Sequence, residues 1–181
     1  MNNVICGIDE AGRGSLAGSL FICGVLSNEN LKIDSLKDSK KLSKAKREEI
    51  YRKALELNIS YFVVKCNSYS VDYYGISKCM KYALNKICLN LQAKHYILDG
   101  NTNFGLKNIN CMIKGDDKIP EISLSSVIAK HFKDKECEIL HKLYPKYNIN
   151  KNKGYGTSYH IKAIMQYGLS PIHRKSFKLK S

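Results

Sequence analysis

No run of about 18 apolar residues occurs in the chain, so no membrane-spanning helix is expected. The N-terminus has no basic start followed by an apolar block and a cleavage site, so no secretory signal is expected either. Cys-x-x-Cys pairs are missing. The cysteines are Cys6, Cys23, Cys66, Cys79, Cys88, Cys111 and Cys137, scattered and odd in number. That argues against a disulfide frame or a zinc site, and for reduced, mostly buried thiols in a cytosolic protein. There is no Gly-x-x-x-x-Gly-Lys-Ser/Thr phosphate loop. Internal repeats, low-complexity stretches and a domain boundary are also missing, so residues 1–181 are read as one domain. Acidic residues stop at Glu138, although the chain runs to Ser181.

Basic residues dominate what is there. Thirty lysines and arginines against sixteen acids give a formal net charge of +14. Such a charge favours an anionic partner, of which nucleic acid is the commonest. The acid-free tail holds Lys142, Lys146, Lys151, Lys153, Lys162, Arg174, Lys175, Lys178 and Lys180. One-signed tails of this kind suit an electrostatic contact, here over about 141–181.

Apolar patterning gives the elements. Val4–Asp9 and Leu20–Leu26 read as neighbouring antiparallel strands. Ser43 suits an N-cap for a helix over Lys44–Leu57, with Ile50, Ala54 and Leu57 as its stripe. Ile59–Cys66 reads as a third strand and Ser68–Tyr74 as a turn region. Ile76, Met80, Ala83, Leu84, Ile87, Cys88 and Leu91 recur at helical spacing. His95–Leu98 is a strand ending at Asp99-Gly100, and Cys111–Ile113 a short fifth strand. A long helix over Ser123–Tyr144 places Leu124, Val127, Ile128, Phe132, Ile139, Leu140 and Leu143 inside. A loop over Asn148–Gly156 precedes a last helix, capped by Thr157 and ended by Gly168. Strands early and helices late predict an α/β fold, a mixed sheet of about five strands flanked by helices.

Chemistry concentrates at strand ends. Asp9 and Glu10 close the first strand and meet the turn Gly12-Arg13-Gly14, whose arginine suits a phosphate or a carboxylate. Asp99 closes a later strand, and Asp116 follows Lys114-Gly115. If those strands are neighbours, the four acids converge. Acids that close raise one another's pKa unless a cation lies among them. An all-oxygen set favours Mg²⁺ or Mn²⁺. Two such ions about 3.5–4 Å apart suit phosphodiester cleavage. Adjacent strand residues face opposite ways, so this reading needs the strand to break near Glu10.

The stretches Gly7–Gly18 (GIDEAGRGSLAG), Asp38–Ser43 (DSKKLS), Leu98–Asn101 (LDGN), Lys114–Asp116 (KGD), Ser126–Asp134 (SVIAKHFKD), Lys153–Thr157 (KGYGT) and Pro171–Phe177 (PIHRKSF) together resemble the type 2 ribonuclease H family, ribonuclease HII, along nearly the whole chain. The resemblance implies a ribonuclease H-like fold. It implies hydrolysis of the RNA strand of RNA–DNA hybrids and cleavage 5′ of ribonucleotides embedded in duplex DNA. The family's four acidic positions fall on Asp9, Glu10, Asp99 and Asp116, and its substrate-sensing tyrosine on Tyr155. Substrate contacts are expected from Gly12, Arg13, Gly14, Tyr155, Lys40, Lys41, Lys153 and Arg174. Departures are Ser15 and Ser19 where the family often has proline, which should loosen the loop's start. Lys133 stands in place of the usual arginine, and Asp117 beside Asp116 leaves the fourth acid ambiguous. A cytoplasmic monomer with no membrane contact is expected.

Plainer readings stand beside these. Asp134 suits an ion pair with Lys130 or Lys133 on its own helix better than a metal role. Lys40 and Lys41 fit backbone phosphates or a solvated helix entrance equally well. Tyr155 could simply brace its loop. The histidines show no ligand spacing, with His173 beside Arg174 a candidate phosphate contact. A non-catalytic nucleic-acid-binding module would explain the charge but not four acids at loop edges. A nucleotide-binding enzyme would need amide donors where the first loop carries acids.

Overall fold

The computed structural model describes residues 4–27, 31, 36 and 42–179. Lys40 and Lys41 lie outside the described residues. Five strands form one sheet in the order β3-β2-β1-β4-β5. They are β1 (Ile5–Ala11), β2 (Leu20–Leu26), β3 (Tyr61–Cys66), β4 (His95–Asp99) and β5 (Ile109–Met112). β1–β2 and β2–β3 are antiparallel, while β1–β4 and β4–β5 are parallel. The predicted mixed α/β sheet is therefore present.

Helices cover both faces. α2 (Ser68–Asn90) packs on the side that carries Cys6, Ile8, Leu20 and Ile22. α1 (Lys44–Glu56) and α3 (Pro120–Leu143) cover the other side against Phe21, Cys23 and Val25. Alternation along each strand divides the two cores. Burial of side chains such as Ile8, Met80, Leu84, Leu124 and Ile128 contributes roughly 1.5–3 kcal/mol each. α3 approaches β1 so closely that a Cβ on Gly7 would lie 2.4 Å from the Ile122 amide nitrogen. Only glycine permits that approach, and it sets α3 directly over the acidic end of β1. A third cluster holds Ala17, Cys137, Tyr147, Ile149 and Ile164, joining α4 (Ile149–Asn152) and α5 (Ser158–Tyr167) to α3.

Several local expectations change. The stretch from Ser68 to Tyr74 is helical, because the Asn67 side chain accepts from the Ser70 amide at 2.8 Å and starts the helix early. Gly75, at φ 78°, then breaks the helix before the predicted stripe begins. α3 begins at Pro120, where a proline without an N–H suits a first turn. Ile139 and Leu143 are exposed on α3, and His131, Lys133, Asp134 and Cys137 are buried instead. A short helix interrupts the expected loop over Asn148–Gly156.

Candidate active site

β1 does not break at Glu10. It stays paired with β2 through Glu10↔Ile22 and Ala11↔Phe21. What ends is its pairing with β4, whose last partners are Ile8↔Leu98. Beyond them lie Asp9 and Asp99, one residue past two core side chains on parallel neighbours. Alternation turns both acids toward α3. Glu10 takes the opposite side of β1, but at the sheet's margin its carboxyl still feels Asp99.

Asp9 is buried. Its pKa is raised to about 7, first by loss of water and then by the charges of Glu10 and Asp99, against a lowering hydrogen bond with Ser126. The Glu10 amide donates to Asp9 Oδ1 at 2.7 Å. Glu10 is also raised, mainly by burial, with Arg13 opposing. Asp99 Oδ1 accepts from the Gly115 amide at 2.7 Å. That bond fixes the 3₁₀ turn Gly115–Asp117 against the end of β4, with Asp116 buried and Asp117 exposed. The four acids therefore occupy one margin of the sheet. Among the described residues, no three carboxylate, imidazole or thiol groups already converge as a chelating cluster.

The donor set still fits a divalent cation. It is made of oxygen only, and Asp9 is raised to about 7 by burial first and then by the charges of Glu10 and Asp99, a cost that a cation would relieve. Mg²⁺ keeps several waters and takes one or two carboxylates plus substrate phosphate, so a prebuilt cage is not required.

A groove of about 370 Å³ opens beside Glu10. It is lined by Gly12, Arg13 and Gly14 together with Arg47, Lys130, Lys133, Lys153 and Tyr155. Gly12 has φ 95°, and a Cβ there would lie 2.7 Å from the Ser19 carbonyl, so glycine is obligatory. A Cβ on Gly14 would meet no protein atom within 4 Å. The Arg13 guanidinium lies 3.3 Å from Glu10 and over the Phe104 ring at 5.3 Å. Tyr155 is 43% exposed, and Lys133 Nζ sits 4.8 Å from its ring centroid.

The turn is clamped from behind. The Gly154 carbonyl accepts from the Leu16 and Ala17 amides at 2.7 and 3.1 Å. Arg174, 2% exposed, donates to the Gly18 carbonyl at 2.9 and 3.1 Å and to the Arg13 carbonyl at 3.1 Å. Its guanidinium is thus committed to the turn's backbone, which corrects the expectation of a substrate-contacting Arg174. His173 is equally buried, and its two ring nitrogens meet His160 and Ser170. The departures at Ser15 and Ser19 are both buried and hydrogen-bonded. Ser15 Oγ accepts from Lys133 Nζ at 2.6 Å. Ser19 gives its amide and hydroxyl to Glu136 at 2.8 and 2.6 Å. Asp134 does make ion pairs, but with Arg47 of α1 at 2.5 Å and Lys153 at 3.3 Å. Sequence reasoning missed Arg47, Lys130 and Lys133 as groove residues. Helical charge patterning makes each look like an ordinary surface cation, and the partners of Arg47 and Lys133, Asp134 and Ser15, lie on distant elements.

A mixed five-stranded sheet with acids gathered at the end of its central strands defines a ribonuclease H-like fold. The ribonuclease HII family model matches residues 6–180, and the chain belongs to that family. It is 46% identical over 176 residues to the ribonuclease HII of Sulfurovum sp. (strain NBC37-1), covering 97% of this chain and 92% of that one. The ribonuclease HII of Helicobacter pylori (strain G27) is 46% identical over 189 residues, covering 98% and 93%. Among solved structures, the complex of PCNA with ribonuclease HII from Archaeoglobus fulgidus superposes with a TM-score of 0.81 at 26% identity, over 98% of this chain and 96% of that one. The protein is therefore a ribonuclease H, a hydrolase acting on nucleic acid. Among the described residues, no helix is long and apolar enough to cross a membrane.

Proposed function

We propose that this ribonuclease H cuts the RNA strand of RNA–DNA hybrids and cuts duplex DNA on the 5′ side of embedded ribonucleotides, leaving 3′-hydroxyl and 5′-phosphate ends. The observation that carries the reading is the buried Asp9, with the charges of Glu10 and Asp99 acting on it, beside a groove that Glu10 lines together with Arg13, Arg47, Lys130, Lys133 and Lys153. Asp9, Glu10, Asp99 and Asp116 would hold Mg²⁺ or Mn²⁺. Bound there, such ions supply Lewis-acid stabilisation of charge on the phosphodiester and a more acidic water.

The chain's own residues do the rest. Lys130 and Lys153 draw the phosphate backbone into the groove. Arg13 sits between Glu10 and open solvent, where it can trade its carboxylate partner for a phosphate. Gly14 meets no protein atom where its Cβ would be, which leaves its backbone open to a sugar edge. The 2′-hydroxyl is the only group that marks a ribose at any sequence, and it is both donor and acceptor. Tyr155 offers it a phenol and offers the next sugar a flat ring. Lys133 lies over that ring, and the Gly154 clamp holds the loop before it, in the groove that Gly14 also lines.

The test is a labelled DNA duplex containing one ribonucleotide, incubated with Mg²⁺, Mn²⁺ or EDTA. Cleavage 5′ of the ribose is expected with either ion and none with EDTA. Tyr155→Ala should lose cleavage there far more than binding. Metal-independent cutting, or a Tyr155→Ala enzyme as active as wild type on this duplex, would overturn the corresponding part of the reading.

A further inference from the structure

The outer face of α2 carries a second surface suited to nucleic acid. Between Asp72 and Asp99 the sequence has no acidic residue, but it has Lys78, Lys81, Lys86 and Lys94. The outward positions of α2 carry both tyrosines and lysines. Tyr69 is 70% exposed, Tyr73 69%, Tyr74 54% and Tyr82 55%. Lys78, Lys81 and Lys86 are exposed among them. Four half-open phenol rings on one helix are not needed by the core, which is filled from the opposite stripe of α2 by Cys79, Met80, Ala83, Leu84 and Ile87.

The rings are organised. Tyr69 and Tyr73 stack with centroids 6.0 Å apart and planes 15° from parallel. Tyr74 meets Tyr73 edge-on at 4.7 Å. Lys86 Nζ lies 5.7 Å over the Tyr82 ring. Gly75, at φ 78°, turns the first helical segment against the second, and a cavity of about 480 Å³ opens between Tyr74, Lys78 and Tyr82. A second cavity, of about 900 Å³, runs from Tyr69 and Tyr73 to Pro171 and Lys175. The one acid here is Asp72, and it is engaged: it accepts from the Lys175 and Ser176 amides at 2.8 and 3.0 Å and from the Ser176 hydroxyl at 2.6 Å. Those donors carry no charge, but the exposed Lys78, Lys81, Lys86 and Lys175 outnumber this one carboxylate. Neither cavity shares a lining residue with the groove beside Glu10.

We propose that the Tyr69–Tyr82 face of α2 is a binding surface for single-stranded nucleic acid, separate from the groove that takes the duplex. Charge complementarity selects a polyanion. The accessible ring faces select one whose bases are unpaired, since a duplex hides its base faces and would meet lysines alone. Stacking on Tyr73, Tyr74 and Tyr82 tolerates any base, and Lys78 and Lys81 neutralise the phosphates between them. A strand running off the end of a hybrid would be held there without occupying the acidic site. The surface does not depend on the reading of Asp9 as a metal-binding group.

The experiment uses the full chain and a fluorescein-labelled oligothymidylate, followed by anisotropy at low and moderate salt. The double variant Tyr73→Ala/Tyr74→Ala should weaken oligothymidylate binding about tenfold or more. Tyr73→Phe/Tyr74→Phe should retain it, because the ring is what stacks. Lys78→Gln/Lys81→Gln should reduce its salt dependence. Cleavage of a blunt hybrid should be unchanged in all of these, which separates failure of this proposal from failure of the active-site reading. Oligothymidylate affinity unaffected by loss of the rings would overturn the proposal. So would equal loss on a blunt duplex, which would mean that the face holds a duplex arm. Absence of wild-type binding at low salt would overturn it too, leaving the face to a protein partner.

Discussion

Asp116 and Asp117 differ in what the fold does with them. Asp116 is buried within the turn that Asp99 fixes through Gly115, while its neighbour is exposed. Asp116→Asn should therefore cost far more hydrolysis of a hybrid than Asp117→Asn, measured under the same ion. Equal losses would move the assignment. The histidines give a second prediction at this scale. The Ser170 amide donates to His173 Nδ1, so His173 Nε2 carries the proton and donates to His160 Nε2 at 3.1 Å. His160 Nδ1 must then donate to the Tyr155 carbonyl at 2.9 Å. Burial, and then His160, push His173 down to about 4, and burial lowers His160 as well. Both are neutral in the fold and titrate near 6.5 when unfolded. Their contribution is complete above that value and is lost as pH falls toward 4, up to about 3 kcal/mol for His173. Thermal melts of His173→Gln should show a flatter fall between pH 6.5 and 4 than the wild type. The acids were legible in the sequence because carboxylates at strand ends beside glycine turns are unusual in a basic chain. His173 and Arg174 were not legible, because a basic irregular tail gives no local sign of which cations turn inward.

The turn at residues 12–18 is built by elements distant from it. Residues of the chain's last segment reach it through Arg174 and through the bridge between Ala17 and His173. The loop before α5 reaches it through Gly154. Arg174→Gln would leave the Gly18 and Arg13 carbonyls without their charged donor. That should lower stability by about 3 kcal/mol. KM for a hybrid should rise with the loss of turn geometry, even at temperatures where the variant is fully folded. An unchanged KM in a folded variant would mean that the turn holds its shape alone. Strand and helix identities followed from periodicity, with α3 and the second part of α2 clearest. The helical start of α2 escaped notice because Ser68–Tyr74 is polar and tyrosine-rich. Its cap, Asn67, and its breaker, Gly75, read equally well as a turn. The unbroken β1 was also hidden, since a ladder that ends on one side only leaves no mark in a single strand's sequence.

Over the whole molecule, a net charge of +14 surrounds one acidic margin of a sheet. The basic tail is not uniform: Arg174 is internal, Lys153 reaches Asp134 in the groove, and Lys151 is exposed. Binding of a hybrid should weaken steeply with salt as neutralised phosphates release counterions. Replacing Lys130, Lys151 and Lys153 with glutamine should flatten that slope by about two to three units. An unchanged slope would place the duplex elsewhere. The central claim is that the acidic margin performs the hydrolysis and the basic groove only holds the duplex. Asp9→Asn tests it most directly, because it keeps the side chain's shape and removes its charge. Single-turnover cleavage and equilibrium binding of one hybrid should be measured on the same preparation with Mg²⁺ or Mn²⁺. The account predicts cleavage lower by about a thousandfold or more, the loss expected when an essential electrostatic group is removed, with hybrid affinity nearly unchanged. Near-normal cleavage by Asp9→Asn, or loss of binding in step with loss of cleavage, would contradict it.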